Sequence, residues 1–363
     1  MGKRILLSGY FGFDNVGDEA ILQAECTQLR KLDPEVELSA LIDNKARAEE
    51  LHLKAYKRKS IWQVYKAVSE CDLLISGGGG LFQDSTGVGS VMYYGAILTL
   101  AAILNKPSFI FSQGFGPIRT DLGRLLAKQL LPFATKASFR DEESLQEFKK
   151  FAPEVETVLT ADPAFLLQAE SEQKTQEMVE KCGLASVKAP VVVVALRSWF
   201  DLDLASKAEA FNKWLSAFTE QERPHLLVLP LQYWYDEGIS RRFTSLIKYP
   251  CTMAPKLDAS EIVSLLAAKP IEMVAAMRLH AVILAAASAK PTLGIAYDPK
   301  VSRICQLCEA PCVPLEKLSA EELSSKLAET WLQRKQLGEK IGQNGTALRQ
   351  KALQAFNIAL EMI

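Results

Sequence analysis

The side chains best placed to do chemistry in this sequence are mostly cations. Arg140, Arg197, Arg278 and Lys300 each come shortly after a short apolar run, and His280 follows Arg278 by two residues. A guanidinium can fork onto a carboxylate or phosphate, and a lysine ammonium acts as a point charge. An imidazole, with a reference pKa of about 6.5, can move one proton near neutrality. The other histidines read differently: His52 lies in a charged region and His225 opens an apolar run. The sequence has no histidine–carboxylate cluster with metal-ligand spacing, no G-x-S-x-G elbow and no cysteine with an evident basic partner. These residues suit a small, multiply anionic substrate and one proton transfer, with no metal and no bound cofactor expected. Nothing in their spacing identifies the substrate.

Glycine-rich loops accompany them. Gly9-Tyr-Phe-Gly12-Phe13-Asp-Asn15-Val-Gly17-Asp18 joins the first apolar run to a helical pattern. Its spacing is neither the dinucleotide fingerprint nor a P-loop. Asp18 reads as a helix cap, whereas Phe13 and Asn15 in an exposed turn are candidates for substrate contact. Gly77, Gly78, Gly79 and Gly80 follow the run Leu73–Ser76. Four successive glycines permit close approach to the backbone, either by a ligand or by another chain segment. Gln113-Gly-Phe-Gly116-Pro117 is a weaker feature of the same kind. Arg140 would pair with Asp141 or Glu143 at the surface, or serve as an anion fork; Asp162 before Pro163 reads as a turn. Cys305, Cys308 and Cys312 form the only cysteine cluster and read as structural.

The elements that must position these residues alternate. Apolar runs at Arg4–Ser8, Val36–Ile42, Leu73–Ser76, Ser108–Ser112, Lys136–Phe139 and Val155–Thr160 predict strands. Helical patterns predict helices at Asp18–Lys31, Trp62–Glu70, Ser90–Leu104, Leu122–Leu131 and Glu142–Phe151. A polar stretch, Ala169–Gln176, separates these from a second series. Its strands are Val191–Leu196, Leu226–Leu229, Met273–Ala275 and Thr292–Ile295, with helices near Lys207–Thr219, Tyr235–Leu246, Ser260–Ala267, Leu279–Ala287 and Lys300–Leu307. Such alternation predicts α/β architecture: two Rossmann-type, doubly wound domains, with ligands in a cleft outside the strands' carboxyl ends. The predicted domains are residues 1–168 and 169–345, with a C-terminal helix in 346–363 that could dock on either.

Composition narrows the function class. With 42 basic and 43 acidic residues the formal net charge is −1, unlike the basic excess of nucleic-acid binders. The start lacks the pattern of a secretory signal, and the run Val91–Leu104 is shorter than a bilayer span of about 20 residues. A cytoplasmic protein is expected, so any membrane contact would be peripheral.

The ordered set Gly12-Phe-Asp-Asn15-x-Gly17-Asp18-Glu19, Ser76-Gly-Gly-Gly-Gly80, Gln113-Gly-x-Gly116-Pro117, Arg140-Asp-x-x-Ser144, Asp162-Pro163 and Arg278-Leu279-His280 resembles the polysaccharide pyruvyltransferase family. The match covers nearly the whole chain, except the tail beyond Leu315, and looks like the family's bacterial S-layer anchoring branch, the CsaB-like enzymes. The resemblance implies a GT-B-like fold of two facing Rossmann-type domains. It implies phosphoenolpyruvate as donor and co-substrate. The implied product is a 4,6-ketal on N-acetylmannosamine, in a disaccharide on undecaprenyl diphosphate that is a precursor of a secondary cell-wall polymer. Enzymes of this kind would act at the inner face of the plasma membrane. The family pattern implicates Phe13, Arg140, His280 and Lys300 in donor binding or catalysis, with Arg278 in support.

On that reading His280 is the general acid, its pKa raised by a bound dianion. The sugar's base is unassigned, with Asp84 and Asp14 as guesses. Two rivals remain at this stage: a GT-B glycosyltransferase binding a nucleotide ribose at Glu261, and a non-catalytic nucleotide-binding module using Asp43. The exact sugar, its linkage and the oligomeric state are not legible.

Overall fold

The computed structural model describes residues 2–85, 87–200 and 202–363. It divides into two compact units, one of residues 1–166 with 348–363 and the other of residues 167–347. The strands are β1 (Arg4–Ser8), β2 (Glu37–Leu41), β3 (Lys54–Tyr56), β4 (Leu73–Ser76), β5 (Ser108–Gln113), β6 (Lys136–Phe139) and β7 (Glu156–Leu159) in the first unit. The second has β8 (Val191–Ala195), β9 (His225–Val228), β10 (Cys251–Met253), β11 (Ile271–Ala276), β12 (Thr292–Ala296) and β13 (Cys312–Pro314). Between them run α1 (Val16–Leu32), α2 (Lys45–Glu50), α3 (Ile61–Glu70), α4 (Gly89–Ile103), α5 (Asp121–Leu130), α6 (Glu142–Lys149) and α7 (Glu172–Lys181). The remaining helices are α8 (Leu204–Ser216), α9 (Tyr233–Leu246), α10 (Ala259–Ala267), α11 (Leu279–Ala287), α12 (Pro299–Cys308), α13 (Ala320–Leu332) and α14 (Arg334–Glu361).

The strand order is β3-β2-β1-β4-β5-β6-β7 in one sheet and β10-β9-β8-β11-β12-β13 in the other. The paired strands are parallel throughout. Strands β4, β5 and β8 are buried along their whole length. This explains their unbroken apolar sequences, because a parallel sheet covered on both faces has no polar side.

Each sheet has a point where the winding reverses. The chain moves outward from β1 through β2 to β3, then crosses back to β4 and proceeds the other way; β8 and β11 repeat this. Pairing of Ser8 with Ser76, and of Ala195 with Ala276, brings the strand ends level at both points. The loops after β1 and β4, and those after β8 and β11, therefore leave the sheets side by side. Such switch points are where open α/β sheets hold ligands.

Several elements differ from expectation. The polar stretch from Ala169 runs into α7, a helix that buries only Met178 and Val179. The last helix begins at Arg334 rather than near Ala347. Its end packs in the first unit: the Phe356 ring meets Phe111 at 4.8 Å, and Arg349 Nε donates to the Phe165 carbonyl at 3.2 Å. Strands β3, β10 and β13 are three-residue edges, too short to register as apolar runs.

Candidate functional site

The first unit's strand edge is built from the loops after β1, β4, β5 and β6. Asn15 caps α1, accepting from Gly17 N at 3.3 Å and donating from Nδ2 to Asp18. The cap is thus Asn15 and not Asp18, because Asp18 already lies inside the first helical turn. Glu19 accepts from Gly12 N at 2.6 Å and from Arg47 Nε at 3.0 Å, tying the loop to α2. Phe13 is part-exposed and stacks on Tyr10 with centroids 4.2 Å apart, and the Arg58 guanidinium lies 4.8 Å from its ring centroid.

The glycine run divides by role. A Cβ on Gly77 would lie 2.5 Å from Glu25 Oε1, and one on Gly78 would lie 2.8 Å from Ile21. These two residues admit α1 against the loop, which is the chain-crossing alternative. Gly79 has φ +84°, which favours glycine, and its backbone sits over Asp18. Gly80 is exposed, with only the Gly114 carbonyl at 3.7 Å from where a Cβ would be. Gln113 is fully buried and clamps the run, its Nε2 donating to the carbonyls of Ser76 at 2.8 Å and Gly77 at 3.1 Å.

Arg140 follows β6 and packs against Gly114, where a Cβ would lie 2.6 Å from the guanidinium. Its NH1 donates to Asp162 Oδ2 at 2.8 Å, and Asp141 stands farther off, 3.9 Å from Nε. Asp162 does turn the chain, accepting from Ala164 N at 3.0 Å, but it is also the main partner of Arg140. Beside this pair burial raises the Asp18 carboxyl to about 7, helped by neighbouring Glu19. Burial likewise raises Glu25 to about 8, against one hydrogen bond from Gly78 N. Asp84 is a different case. Burial would raise it, but hydrogen bonds from Thr120 and from Arg119 N hold it below its usual range. Committed to the Arg119–Thr120 loop in this way, it is poorly suited to act as a base.

The second unit's strand edge is cationic. Arg278 follows β11 at the start of α11, its NH2 donating to fully buried Asp236 and its NH1 to Gln232 Oε1 at 3.4 Å. Its buried Nε has no protein hydrogen-bond partner among the described residues. Arg197, after β8, donates to the Tyr297 hydroxyl and lies 4.9 Å from that ring's centroid. Burial raises the Tyr297 phenol, while Arg197 and Arg278 oppose the rise, so all three groups converge. His280 sits in the first turn of α11, where helix amides favour an anion. Lys300 occupies the first turn of α12, its N donating to Asp298 Oδ1 at 3.0 Å and its Nζ lying 3.6 Å from Asp298 Oδ2. Arg197, Arg278, His280 and Lys300 thus all follow strands of the second sheet at its carboxyl edge.

A family model described as polysaccharide pyruvyl transferase matches residues 15–299, from the cap of α1 to the start of α12. The chain belongs to that family. No curated protein matches it. Among solved structures, Anabaena HepE in complex with UDP and glucose has a TM-score of 0.62 at 13% identity, over 99% of this chain and 98% of that one. The S. aureus MnaA–UDP structure has a TM-score of 0.67 at 11% identity, over 100% and 98%. UDP-GlcNAc 2-epimerase from Neisseria meningitidis, bound to UDP-GlcNAc, has a TM-score of 0.62 at 12% identity, over 99% and 98%. These likenesses show a GT-B-like α/β fold for this member of the pyruvyl transferase family.

Phe13, Asn15, the four glycines, Gln113 and Arg140 thus lie on the first unit's edge, and Arg197, Arg278, His280 and Lys300 on the second's. Arg58, Asp236 and Tyr297 were not singled out from sequence for these contacts. Arg58 is hidden in the run Lys57-Arg58-Lys59, which looks like a solvated surface. Among the described residues no group of three His, Cys, Asp or Glu side chains could hold a metal ion. Cys305 and Cys308 are buried, and Cys305 packs its sulfur onto Gly294 of β12.

Proposed function

We propose that the chain is a ketal pyruvyltransferase. It moves pyruvate from phosphoenolpyruvate onto O4 and O6 of N-acetylmannosamine in a disaccharide carried on undecaprenyl diphosphate. The observation that carries this reading is the second unit's edge, where Arg278, Arg197 and Lys300 accompany a single imidazole in a family member. The donor brings a carboxylate and a phosphate, and the reaction starts with one proton. His280 delivers that proton to the methylene carbon of phosphoenolpyruvate, leaving an oxocarbenium centre at C2. One sugar hydroxyl attacks C2 and loses its proton; the C2–O bond to phosphate then breaks. The second hydroxyl closes the ketal. Arg278 and Lys300 hold the donor's charges, and the resemblance adds Phe13 and Arg140 as donor-binding residues.

UDP in HepE and MnaA suggests the rival, transfer from a nucleotide sugar. Against it, Glu261 is occupied: it completes the capping box of α10 with Asp258 and pairs with Lys181. Product mass separates the two readings, since a pyruvyl ketal adds far less than a hexose. In parallel, phosphoenolpyruvate should raise the melting temperature without divalent metal, because a ligand that binds only the native state stabilises it. A shift seen with UDP-sugars and not with phosphoenolpyruvate would overturn the assignment.

A further inference from the structure

The first unit exposes apolar side chains where three neighbouring helices begin. Ile61 and Trp62 open α3, and each is 83% exposed; Tyr65 follows one turn later. Met92 lies in the first turn of α4, and Leu122 and Leu125 lie in the first two turns of α5, all exposed. The crossovers from β3 to β4, β4 to β5 and β5 to β6 advance in one direction along the sheet, so these helices cover one face. Their inner sides share a single core through Val68, Val91, Leu98 and Ala127. Helices in such units run back against the strands. Their starts therefore stand at the strands' carboxyl edge, beside the loops that carry Phe13 and Arg58.

The charge around these tips is one-sided. Residues 57–65 and 119–125, around the starts of α3 and α5, hold five basic side chains and one acidic one, in a chain of formal net charge −1, and α4 has no charged residue. That acid, Asp121, lies 3.8 Å from Arg124. Lys57, Lys59 and Arg119 are exposed among the apolar tips. Apolar tips, a tryptophan and surrounding lysines and arginines are the composition of a surface seated in a lipid headgroup layer.

We propose that this face docks on an anionic lipid bilayer, with Ile61 and Trp62 entering the headgroup layer and the lysines and arginines meeting lipid phosphates. A second copy of the chain fits less well, because a two-fold contact would set the same basic patch against itself. The inference deepens the lipid-linked acceptor of the proposed function. A bilayer held at this edge would bring a lipid-borne sugar to the first unit's loops.

The test uses the full chain and sedimentation with vesicles, so it needs no turnover. The protein should bind vesicles of phosphatidylcholine and phosphatidylglycerol, bind pure phosphatidylcholine poorly, and release as salt rises. Ile61→Ser/Trp62→Ser should weaken partition by about tenfold with an unchanged melting temperature, since both side chains face water. Lys57→Glu/Lys59→Glu should abolish the preference for anionic vesicles. Brominated lipids should quench the wild-type fluorescence more than that of Trp62→Phe. Undiminished binding by Ile61→Ser/Trp62→Ser would overturn the proposal, as would absence of binding to anionic vesicles. A dimer in light scattering that these substitutions convert to monomer, without vesicle binding, would assign the face to a second copy. Failure here leaves the donor chemistry standing, and failure of phosphoenolpyruvate binding leaves this surface standing.

Discussion

In both units an arginine just past a strand's carboxyl end pairs with a fully buried aspartate, but the surroundings of the two pairs differ. In the first, Arg140 pairs with Asp162 against Gly114, next to Asp18 and Glu25 with their raised carboxyl pKa values. In the second, Arg278 pairs with Asp236 and shares the neighbourhood of Tyr297 with Arg197 and Asp298. One edge gathers carboxylates that burial favours as neutral acids. The other gathers cations. The same arginine–aspartate pair thus stands beside buried carboxyls in one unit and beside a second arginine and a tyrosine in the other.

The largest effect should come from breaking either pair. Asp162→Ala or Asp236→Ala leaves a buried guanidinium uncompensated and should cost about 3–5 kcal/mol in urea unfolding. Equal losses would show that the two pairs are structurally equivalent despite their surroundings. A loss confined to one unit would make the other pair dispensable to folding.

A smaller effect should separate the glycines. Gly77→Ala drives a methyl into Glu25 and Gly78→Ala drives one into Ile21, each costing about 1–3 kcal/mol. Gly80→Ala meets only an ordinary contact and should be neutral for stability. If Gly80→Ala instead removes activity from a well-folded protein, Gly80 is the glycine that approaches a ligand.

A further effect lies in pH dependence. Glu25 rises from 4.5 to about 8 and Asp18 from 3.8 to about 7, in both cases chiefly by burial. Between the unfolded and folded pKa values the native state holds more protons. The stability these groups contribute is therefore full below about pH 4 and is lost as pH rises through 7 to 8. Glu25→Gln should flatten that decline and be no less stable than wild type at pH 8. A decline unchanged in Glu25→Gln would place the protons elsewhere.

Much of this was legible because apolar strands and glycine loops are local signals. β1, β4, β6 and α11 have the boundaries that their residue patterns predict. The partners were not legible. Asp162 is 22 positions from Arg140, and Asp236 lies 42 from Arg278 in a different helix, so only the fold brings them together. Asp162 was read as a turn, which it also makes. Arg58 shows the same limit from another direction: its charge run suggests solvent, yet its guanidinium packs on Tyr10, Phe13 and Tyr93. Helix α7 is masked in the sequence by its overall polarity, since Glu172–Lys181 buries only Met178 and Val179.

On the proposed function, the second unit's edge binds the donor and His280 supplies the proton. The direct measurement is phosphoenolpyruvate affinity alongside single-turnover rate for His280→Ala and His280→Gln. Affinity should stay within a few fold while turnover falls by about 10²–10⁴, the usual worth of one positioned acid. A well-folded His280→Gln protein turning over near the wild-type rate would contradict it.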